Sequence, residues 1–88
     1  MHVANAKYGL GNAQFALRDY RAAEDTYQSL LVTTPNFSKA AEVMFNVAGC
    51  QQEMNQNAAA KKTLKQIVAK YPASEAATKA NQLLSAAK

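Results

Sequence analysis

Proline recurs in similar settings 37 residues apart, and this recurrence constrains the fold of the 88-residue chain more than any other feature. Pro35 and Pro72 each follow an apolar segment with helical spacing. A proline ends such a segment, because it has no N–H to donate and disfavours helical geometry in the residue before it. Recurrence over this length is typical of proteins built from stacked helical repeats. We therefore expect one structural unit to occur twice.

Other residues recur at the same offset, and each pair keeps its size class and its polarity. The apolar residues between them follow helical spacing, which predicts amphipathic helices. The matched pairs are Leu10 with Val47, Gly11 with Ala48, Ala23 with Ala60, Tyr27 with Leu64, Leu30 with Ile67, and Pro35 with Pro72. The apolar stripes are Ala6, Leu10, Ala13 and Leu17 in the first unit, and Met44, Val47, Ala48 and Met54 in the second.

Polar segments divide each unit into two helices. Residues 18–20 divide the first unit, and residues 55–57 divide the second. Side-chain oxygens near these breaks and after the prolines can accept hydrogen bonds from the first N–H groups of the next helix. The candidate N-caps are Asp19, Asn57, Ser38 and Ser74. The sequence predicts an all-α protein with helices at about 3–17, 20–33, 39–54, 57–70 and 75–87.

The composition agrees with this class. Hydrophobic residues make up 49% of the chain, and many of them are alanines, which favour helices and let them approach closely. The three glycines and two prolines are too few for an all-β chain with many turns. A chain of this length forms one small domain with a thin core.

The charge does not by itself indicate a nucleic-acid-binding protein. Ten basic and six acidic residues give a net charge of +4, and the one compact basic cluster is Lys61, Lys62 and Lys65. Nucleic-acid binding needs basic residues clustered on one face, with aromatic residues among them. We therefore keep a weak nucleic-acid-binding role only as an alternative. No segment approaches the ~20 apolar residues of a membrane-spanning helix.

The residues that carry enzyme chemistry are sparse. The one cysteine, Cys50, has no second cysteine to pair with, and the one histidine is His2, near the start of the chain. Inside a helical pattern, Cys50 is expected to act as a small buried hydrophobe. No two carboxylates have a spacing typical of an acid–base pair, and no glycine run is typical of a phosphate site. We predict a protein that is not an enzyme and needs no metal or cofactor.

The first unit resembles a tetratricopeptide repeat (TPR). Residues 4–15 and 19–23, with Tyr27 and Pro35, carry the resemblance, although Lys7 stands where the repeat usually has tryptophan. In such a repeat two helices cross closely at small residues, here Gly11 and Ala23, while Leu10, Tyr27 and Leu30 fill the space around the crossing. The resemblance implies a right-handed α-α superhelix of two helix hairpins, at about 4–37 and 41–73, with a capping helix at about 75–87.

A narrower resemblance covers essentially the whole chain. Residues 39–47, 67–72 and 76–84 are similar to the C-terminal repeats of the YbgF (CpoB) family of the periplasmic Tol–Pal system. The signal peptide, the coiled coil and one upstream repeat of that family are not found in this sequence. The resemblance implies a periplasmic module that binds TolA or peptidoglycan-synthesis partners and helps to coordinate outer-membrane constriction at division. A scaffold for outer-membrane protein or lipoprotein assembly is the alternative, because such proteins carry similar repeats.

Stacked repeats curve, and the first helix of each repeat lines the concave side. Tyr8 and Phe45 occupy equivalent positions there and could bind a peptide segment or helix, with neighbouring asparagines holding its backbone. They could instead pack against a neighbouring repeat or loop. Capture of a C-terminal carboxylate is not expected, because Tyr8 replaces a lysine of the chaperone-type clamp. The predicted groove residues are Asn5, Tyr8, Asn12, Phe15, Glu42, Phe45, Asn46, Gly49, Gln52, Lys79 and Gln82.

The two ends of the stack differ in the cover that we expect for them. Leu83 and Leu84 of the last helix can cover the second repeat. The first repeat has no such cap, so apolar atoms near Ala22 and Leu31 should be open where an upstream repeat stacks in the family. We expect weak self-association through the first hairpin.

Overall fold

The computed structural model describes residues 3–86, which form five α-helices. The all-α class predicted from the sequence is confirmed. The predicted bounds of α2 and α4 are correct, and the described ends of the others lie within one residue of prediction. His2 and the predicted last residue of the fifth helix, Ala87, lie outside the described residues. The helices are α1 Val3–Ala16, α2 Tyr20–Thr33, α3 Ala40–Glu53, α4 Asn57–Lys70 and α5 Glu75–Ala86.

The turn inside each repeat has the same backbone geometry. Arg18 has a φ of 65°, and Asn55, 37 residues later, has a φ of 61°. The Arg18 N–H donates to the carbonyl of Phe15 at 3.0 Å, and the Asp19 N–H donates to that of Gln14 at 2.9 Å. Two equivalent bonds surround Asn55. Such a pair around a left-handed residue ends a helix sharply, so the backbone repeats with the period read from the sequence.

One of the four predicted N-caps is confirmed. The hydroxyl oxygen of Ser74 accepts a hydrogen bond from the N–H of Ala77 at 3.0 Å. Ser74 therefore satisfies one of the first N–H groups of α5, as a capping serine does.

The other three predictions of capping are wrong, because the backbone starts these helices elsewhere. Asp19 precedes α2, but its side chain makes no capping hydrogen bond to the described residues. Before α3, the N–H of Ala40 bonds to the carbonyl of Phe37 at 2.9 Å, so the turn contains Ser38 and ends at Lys39. Gln56 precedes α4, and Asn57 is already its first residue.

The helices form two layers. Each helix packs against the next one in the chain, and α3 also contacts α5. This places α1, α3 and α5 in one layer and α2 and α4 in the other. The first core cluster joins α2 to α3 and contains Ala23, Tyr27, Leu30, Val43, Val47 and Cys50. The second joins α3, α4 and α5 and contains Ala48, Leu64, Ile67, Ala76, Ala77 and Ala80. The buried position predicted for Cys50 is confirmed.

α1 and α2 cross closely at Gly11, as the sequence predicts. A Cβ built on Gly11 would lie 2.5 Å from Cε1 of the buried Tyr27 ring, so only glycine fits against this ring. At the equivalent crossing of the second repeat, Ala48 and Leu64 are both buried. Glycine faces tyrosine in the first repeat, whereas in the second repeat the larger alanine faces the smaller leucine. Each crossing is filled in a different way.

The structure corrects the position of Leu10. The side chain was expected to fill the first crossing, but 52% of it is exposed. The whole predicted stripe of Ala6, Leu10, Ala13 and Leu17 is exposed. Val47, the equivalent of Leu10 in the second repeat, is buried against α2. The reason is that this side of a repeat's first helix packs on the second helix of the preceding repeat, and α1 has no described helix before it.

The apolar atoms of the first hairpin are also not where the sequence suggested. Ala22 and Leu31 are half-buried, and Leu31 packs against the first core cluster. The more exposed apolar side chains of this hairpin are Val3, Leu10, Leu17 and Val32. At the other end, the half-buried Leu84 packs on the second core cluster, so it covers the second repeat as expected. The same expectation is wrong for Leu83, which is exposed and packs on neither core cluster.

Replacing Ala60 by leucine should destabilise the second repeat. Ala60 is buried on α4, in the position equivalent to Ala23 of α2. Three additional carbons there would overpack the contact between helices and lower the free energy of unfolding by about 1–3 kcal/mol. Urea denaturation of the variant measures this change. Ala58→Leu is the matched control, since Ala58 is exposed on the same helix. Equal stability of the two variants would contradict the repeat register.

Candidate partner-binding groove

A buried tyrosine connects two of the predicted groove residues. The Tyr27 hydroxyl donates to Oδ1 of Asn12, and Nδ2 of Asn46 donates to the Tyr27 oxygen at 3.4 Å. The ring is buried in the first core cluster. Burial raises the pKa of Tyr27 from 10.0 to about 12, so the phenol keeps its proton in mild alkali as well as at neutral pH. One hydroxyl from α2 thereby positions amide side chains on both α1 and α3.

Two buried groups should make the protein less stable in alkali. Desolvation raises the pKa of Tyr27 from 10.0 to about 12, and that of Cys50 from 9.0 to about 11. The unfolded chain therefore releases both protons at lower pH than the folded chain does. Their contribution to stability is complete below about pH 9 and is lost as the pH rises from 9 toward 12.

Urea denaturation of the native protein between pH 8 and pH 11 measures this loss. In Cys50→Ala the loss should begin closer to pH 10, because only the tyrosine proton then contributes. In Tyr27→Phe the part of the loss above pH 10 should shrink, whatever the stability of that variant at neutral pH. An identical pH dependence in all three proteins would exclude these two groups as its cause.

Tyr8 joins the first repeat to the start of the second. Its hydroxyl donates to Oε1 of Glu42 at 2.6 Å, and this hydrogen bond raises the pKa of Tyr8. Its ring centroid lies 5.7 Å from that of Phe37, and Nζ of Lys39 lies 5.2 Å from the ring centroid. Tyr8 therefore packs partly against the inter-repeat loop, which was the alternative left open by the sequence. The ring remains half-exposed.

Phe15 of α1 lies against α3. A Cβ built on Gly49 would contact its ring at 3.5 Å, so the aromatic side chain lies beside the α3 backbone. The ring also meets Tyr20 edge to face, with 5.3 Å between centroids. Phe15 is half-exposed, like Tyr8, and both side chains lie where α1 meets α3.

A cavity of about 400 Å³ opens between α3 and α5. Phe45 is part of its wall, and Nζ of Lys79 lies 5.7 Å from the Phe45 ring centroid. Phe45 also packs against the second core cluster, so only part of its ring is exposed. Positively charged lysines and negatively charged glutamates both line the cavity beside this ring. The lining residues are Ser38, Lys39, Ala41, Glu42, Phe45, Asn46, Ser74, Glu75, Ala76 and Lys79.

The structure groups some of the predicted groove residues and separates others. Contacts connect Tyr8 with Glu42, Asn12 with Asn46 through Tyr27, Phe15 with Gly49, and Phe45 with Lys79. Gln52 lines a separate cavity of about 300 Å³, which Lys61 and Leu83 also line. Asn5 and Gln82 are exposed on α1 and α5. That these residues bind a partner remains a prediction.

Six residues of the α3–α5 cavity were not predicted: Ser38, Lys39, Ala41, Ser74, Glu75 and Ala76. They lie in or beside the segments that follow the two prolines. The sequence did contain a signal for them, because the repeat is three residues longer than the usual 34 and the extra residues precede the next helix. Residues that follow each proline line the α3–α5 cavity.

The family assignment agrees with this geometry. A family model described as "Tetratricopeptide repeat" matches residues 5–36 and residues 42–74. The two matches begin 37 residues apart, which is the period of the prolines and of the turns. The chain belongs to the tetratricopeptide repeat family. No curated protein matches it.

Tetratricopeptide repeats form protein–protein interaction modules, and the match makes this chain a module of that kind. Within residues 3–86, no helix of this tetratricopeptide domain is long and apolar enough to cross a membrane. In the same range, no group of three histidine, cysteine or acidic side chains is placed to hold a metal ion.

Proposed function

We propose that this chain is a non-catalytic module that binds an extended segment or a helix of a protein partner in the groove formed by α1, α3 and α5. The observation that carries the proposal is the set of half-exposed aromatic and amide side chains along these helices. Tyr8 of α1 and Phe45 of α3 lie at equivalent positions of the two repeats. Asn12 lies on α1, and Asn46 follows Phe45 on α3.

The chemistry of these side chains suits a polypeptide. Half-exposed aromatic rings offer apolar area at a small cost in side-chain entropy, and amide groups hydrogen-bond to a peptide backbone in either direction. The Asn12–Tyr27–Asn46 hydrogen bonds hold both amides in place before a partner arrives, which lowers the entropy lost on binding. Such preorganisation favours a defined register over nonspecific adhesion.

The charges in the groove favour a partner that itself carries both signs. Lys39 and Lys79 lie over aromatic rings, while Glu42 and Glu75 line the same cavity. The hydrogen bond from Tyr8 to Glu42 places a carboxylate where a carboxylate clamp would need a cation. A partner's free C-terminus is therefore not the expected ligand, and an internal segment is.

By resemblance, the proposed partner is a TolA-like protein, and the proposed location is the periplasm, in the Tol–Pal system at cell division. Peptidoglycan-synthesis proteins are further partners implied by the same resemblance. A scaffold role in outer-membrane protein or lipoprotein assembly is the alternative within the class of interaction modules. A partner from that assembly machinery would occupy the same groove.

Nucleic-acid binding is a competing proposal that would use a different face. Lys61, Lys62 and Lys65 are exposed on α4, and no aromatic residue lies on that helix. Without aromatic residues to stack on bases, such a face would offer mainly salt-sensitive phosphate contacts.

Calorimetric titration of the chain with the periplasmic part of TolA tests the proposal, and titration with duplex DNA is the second arm. Saturable binding of TolA that persists at 0.3 M salt, with DNA binding that disappears there, is the expected result. Binding to DNA alone, with a steep salt dependence, would replace the groove proposal by the nucleic-acid alternative.

A further inference from the structure

The contact between α1 and α3 recurs between α3 and α5, with different side chains. Tyr8 of α1 and Phe45 of α3 lie 37 residues apart. Glu42 of α3 and Lys79 of α5, which interact with these two rings, have the same separation. Glu42 accepts the hydrogen bond of the Tyr8 hydroxyl, whereas Lys79 holds its ammonium over the Phe45 ring, which has no hydroxyl. We call the α1–α3 contact the first seam and the α3–α5 contact the second seam.

In the first seam, the loop before α3 packs an aromatic side chain on Tyr8. The ring centroid of Phe37 lies 5.7 Å from that of Tyr8, and the two ring planes are tilted by 56°. Both side chains also pack against the first core cluster. Nζ of Lys39 lies 5.2 Å from the Tyr8 ring centroid. Within this chain, the ring of the first seam therefore has a second ring and an ammonium as neighbours.

In the second seam, small side chains stand where the first seam has Phe37 and Lys39. The equivalent residues are Ser74 and Ala76. The backbone is placed alike, because the N–H groups of Phe37 and Ser74 each donate to the carbonyl three residues earlier, at 3.0 and 3.1 Å. Ser74 and Ala76 line the α3–α5 cavity of about 400 Å³, together with Phe45. The space that larger side chains occupy in the first seam is therefore open in the second.

We infer that the α3–α5 cavity binds one aromatic side chain of the partner segment, which packs on Phe45 as Phe37 packs on Tyr8. A partner must supply this ring, so the inference rests on the proposed function. Electrostatic complementarity favours an aromatic side chain over an aliphatic one. The Lys79 ammonium lies 5.7 Å from the Phe45 ring centroid, and it is attracted to the face of a second ring as well.

The charges that line the cavity argue against a charged occupant. They comprise two cations and two anions, on Lys39, Glu42, Glu75 and Lys79. A cationic or an anionic side chain would therefore meet two charges of its own sign, which is unfavourable. A neutral ring avoids this, and charged residues beside it on the partner can pair with the same four groups. Asn46, also in the wall, can hydrogen-bond to the backbone that carries the ring.

Filling the cavity from within the chain tests the inference without a partner. In Ser74→Phe the new ring should pack on Phe45, whereas Ser74→Ala leaves the cavity open. Both variants lose the hydroxyl that caps α5, so they form a matched pair. We expect the equilibrium constant for unfolding of Ser74→Phe, measured in urea, to be at least about threefold lower than that of Ser74→Ala, because the ring is buried. An equal or higher constant in Ser74→Phe would overturn the inference.

Capped amino acids supply the ring from outside. NMR titration of the isotope-labelled chain with N-acetyl-phenylalanine methylamide should shift the resonances of Phe45, Ala76 and Lys79. N-acetyl-leucine methylamide should bind at least about threefold more weakly, since it lacks the ring. Ser74→Phe should abolish the shifts, and Ser74→Ala should retain them. No shifts at these residues, equal binding of the two probes, or shifts that persist in Ser74→Phe would each overturn the inference.

Titration of the same two variants with the periplasmic part of TolA separates this inference from the proposed function. We expect affinity at least about tenfold lower for Ser74→Phe than for Ser74→Ala, because a filled cavity cannot take the partner's ring. Equal affinity of the two variants would reject the aromatic site and leave the groove proposal standing. If TolA binds neither variant nor the native protein, while the phenylalanine probe does bind, the proposed partner is wrong and the aromatic site stands.

Discussion

Gly11→Ala is expected to lower the free energy of unfolding by about 1–3 kcal/mol, although it adds one methyl group to a helix and alanine is the better helix former. The added Cβ would lie 2.5 Å from Cε1 and 2.7 Å from Cδ1 of Tyr27. The ring cannot easily move, because it is buried in the first core cluster and its hydroxyl is bonded to Asn12. Either the ring or the α1–α2 crossing must shift. Urea denaturation at neutral pH measures the cost.

Gly9→Ala provides the matched control, two residues earlier in the same helix. A Cβ on Gly9 meets open space within the described chain, so the substitution should raise the free energy of unfolding by about 0.5–1 kcal/mol. Both variants are measured at the same protein concentration. The signs of the two effects should be opposite. If both substitutions stabilise the protein, α1 does not cross α2 at Gly11.

Replacing Tyr8 and Phe45 together by alanine is expected to weaken binding of a groove partner by about 2 kcal/mol or more, roughly thirtyfold, if both are hot spots. The two rings are half-exposed at equivalent positions of α1 and α3, and each has a lysine ammonium over its face. Their removal deletes two of the three aromatic rings of the predicted groove, and Phe15 remains. Calorimetric titration with the periplasmic part of TolA, the proposed partner, measures the loss.

Tyr71→Ala is the control for this experiment. Tyr71 is also half-exposed, and Nζ of Lys70 lies 5.8 Å from its ring centroid, but it follows α4 and does not line the α3–α5 cavity. Its removal should leave the affinity unchanged. Circular dichroism checks that the double variant remains folded, because Tyr8 and Phe45 also pack against the two core clusters. Unchanged affinity in a folded double variant would mean that both rings serve packing alone.

The period of the sequence predicted most of the fold because each repeat is a local structure. Helix ends follow from proline and from polar breaks within a few residues, and close crossings follow from small residues such as Gly11 and Ala23. The same locality explains the correct bounds of α2 and α4. Information of this kind lies within one repeat and its immediate neighbour.

Leu10 could not be placed by the same reasoning. Its helical spacing correctly marks Leu10 as part of a helix-packing face. Whether a helix covers that face depends on what lies next to the repeat. Val47 has the same position in the pattern and is buried, because α2 precedes α3. Apolar periodicity reports which face packs and not whether a partner is present.

The candidate groove was only partly predictable for a related reason. Equivalence between repeats identified Tyr8 and Phe45, but it gave no information about loops of unequal sequence. Phe37 packs on Tyr8, whereas the equivalent residue Ser74 caps α5 and lines the cavity. Lys39 was missed because its interaction with Tyr8 crosses from the loop to α1, a long-range contact that no short sequence pattern encodes.

The account's central claim is that the groove of α1, α3 and α5 binds a protein partner. Heteronuclear NMR titration of the isotope-labelled chain with the periplasmic part of TolA tests it most directly. The account predicts chemical-shift changes concentrated at Tyr8, Asn12, Phe45, Asn46 and Lys79, with α2 and α4 little affected. Changes confined to Lys61, Lys62 and Lys65 of α4 would contradict the account.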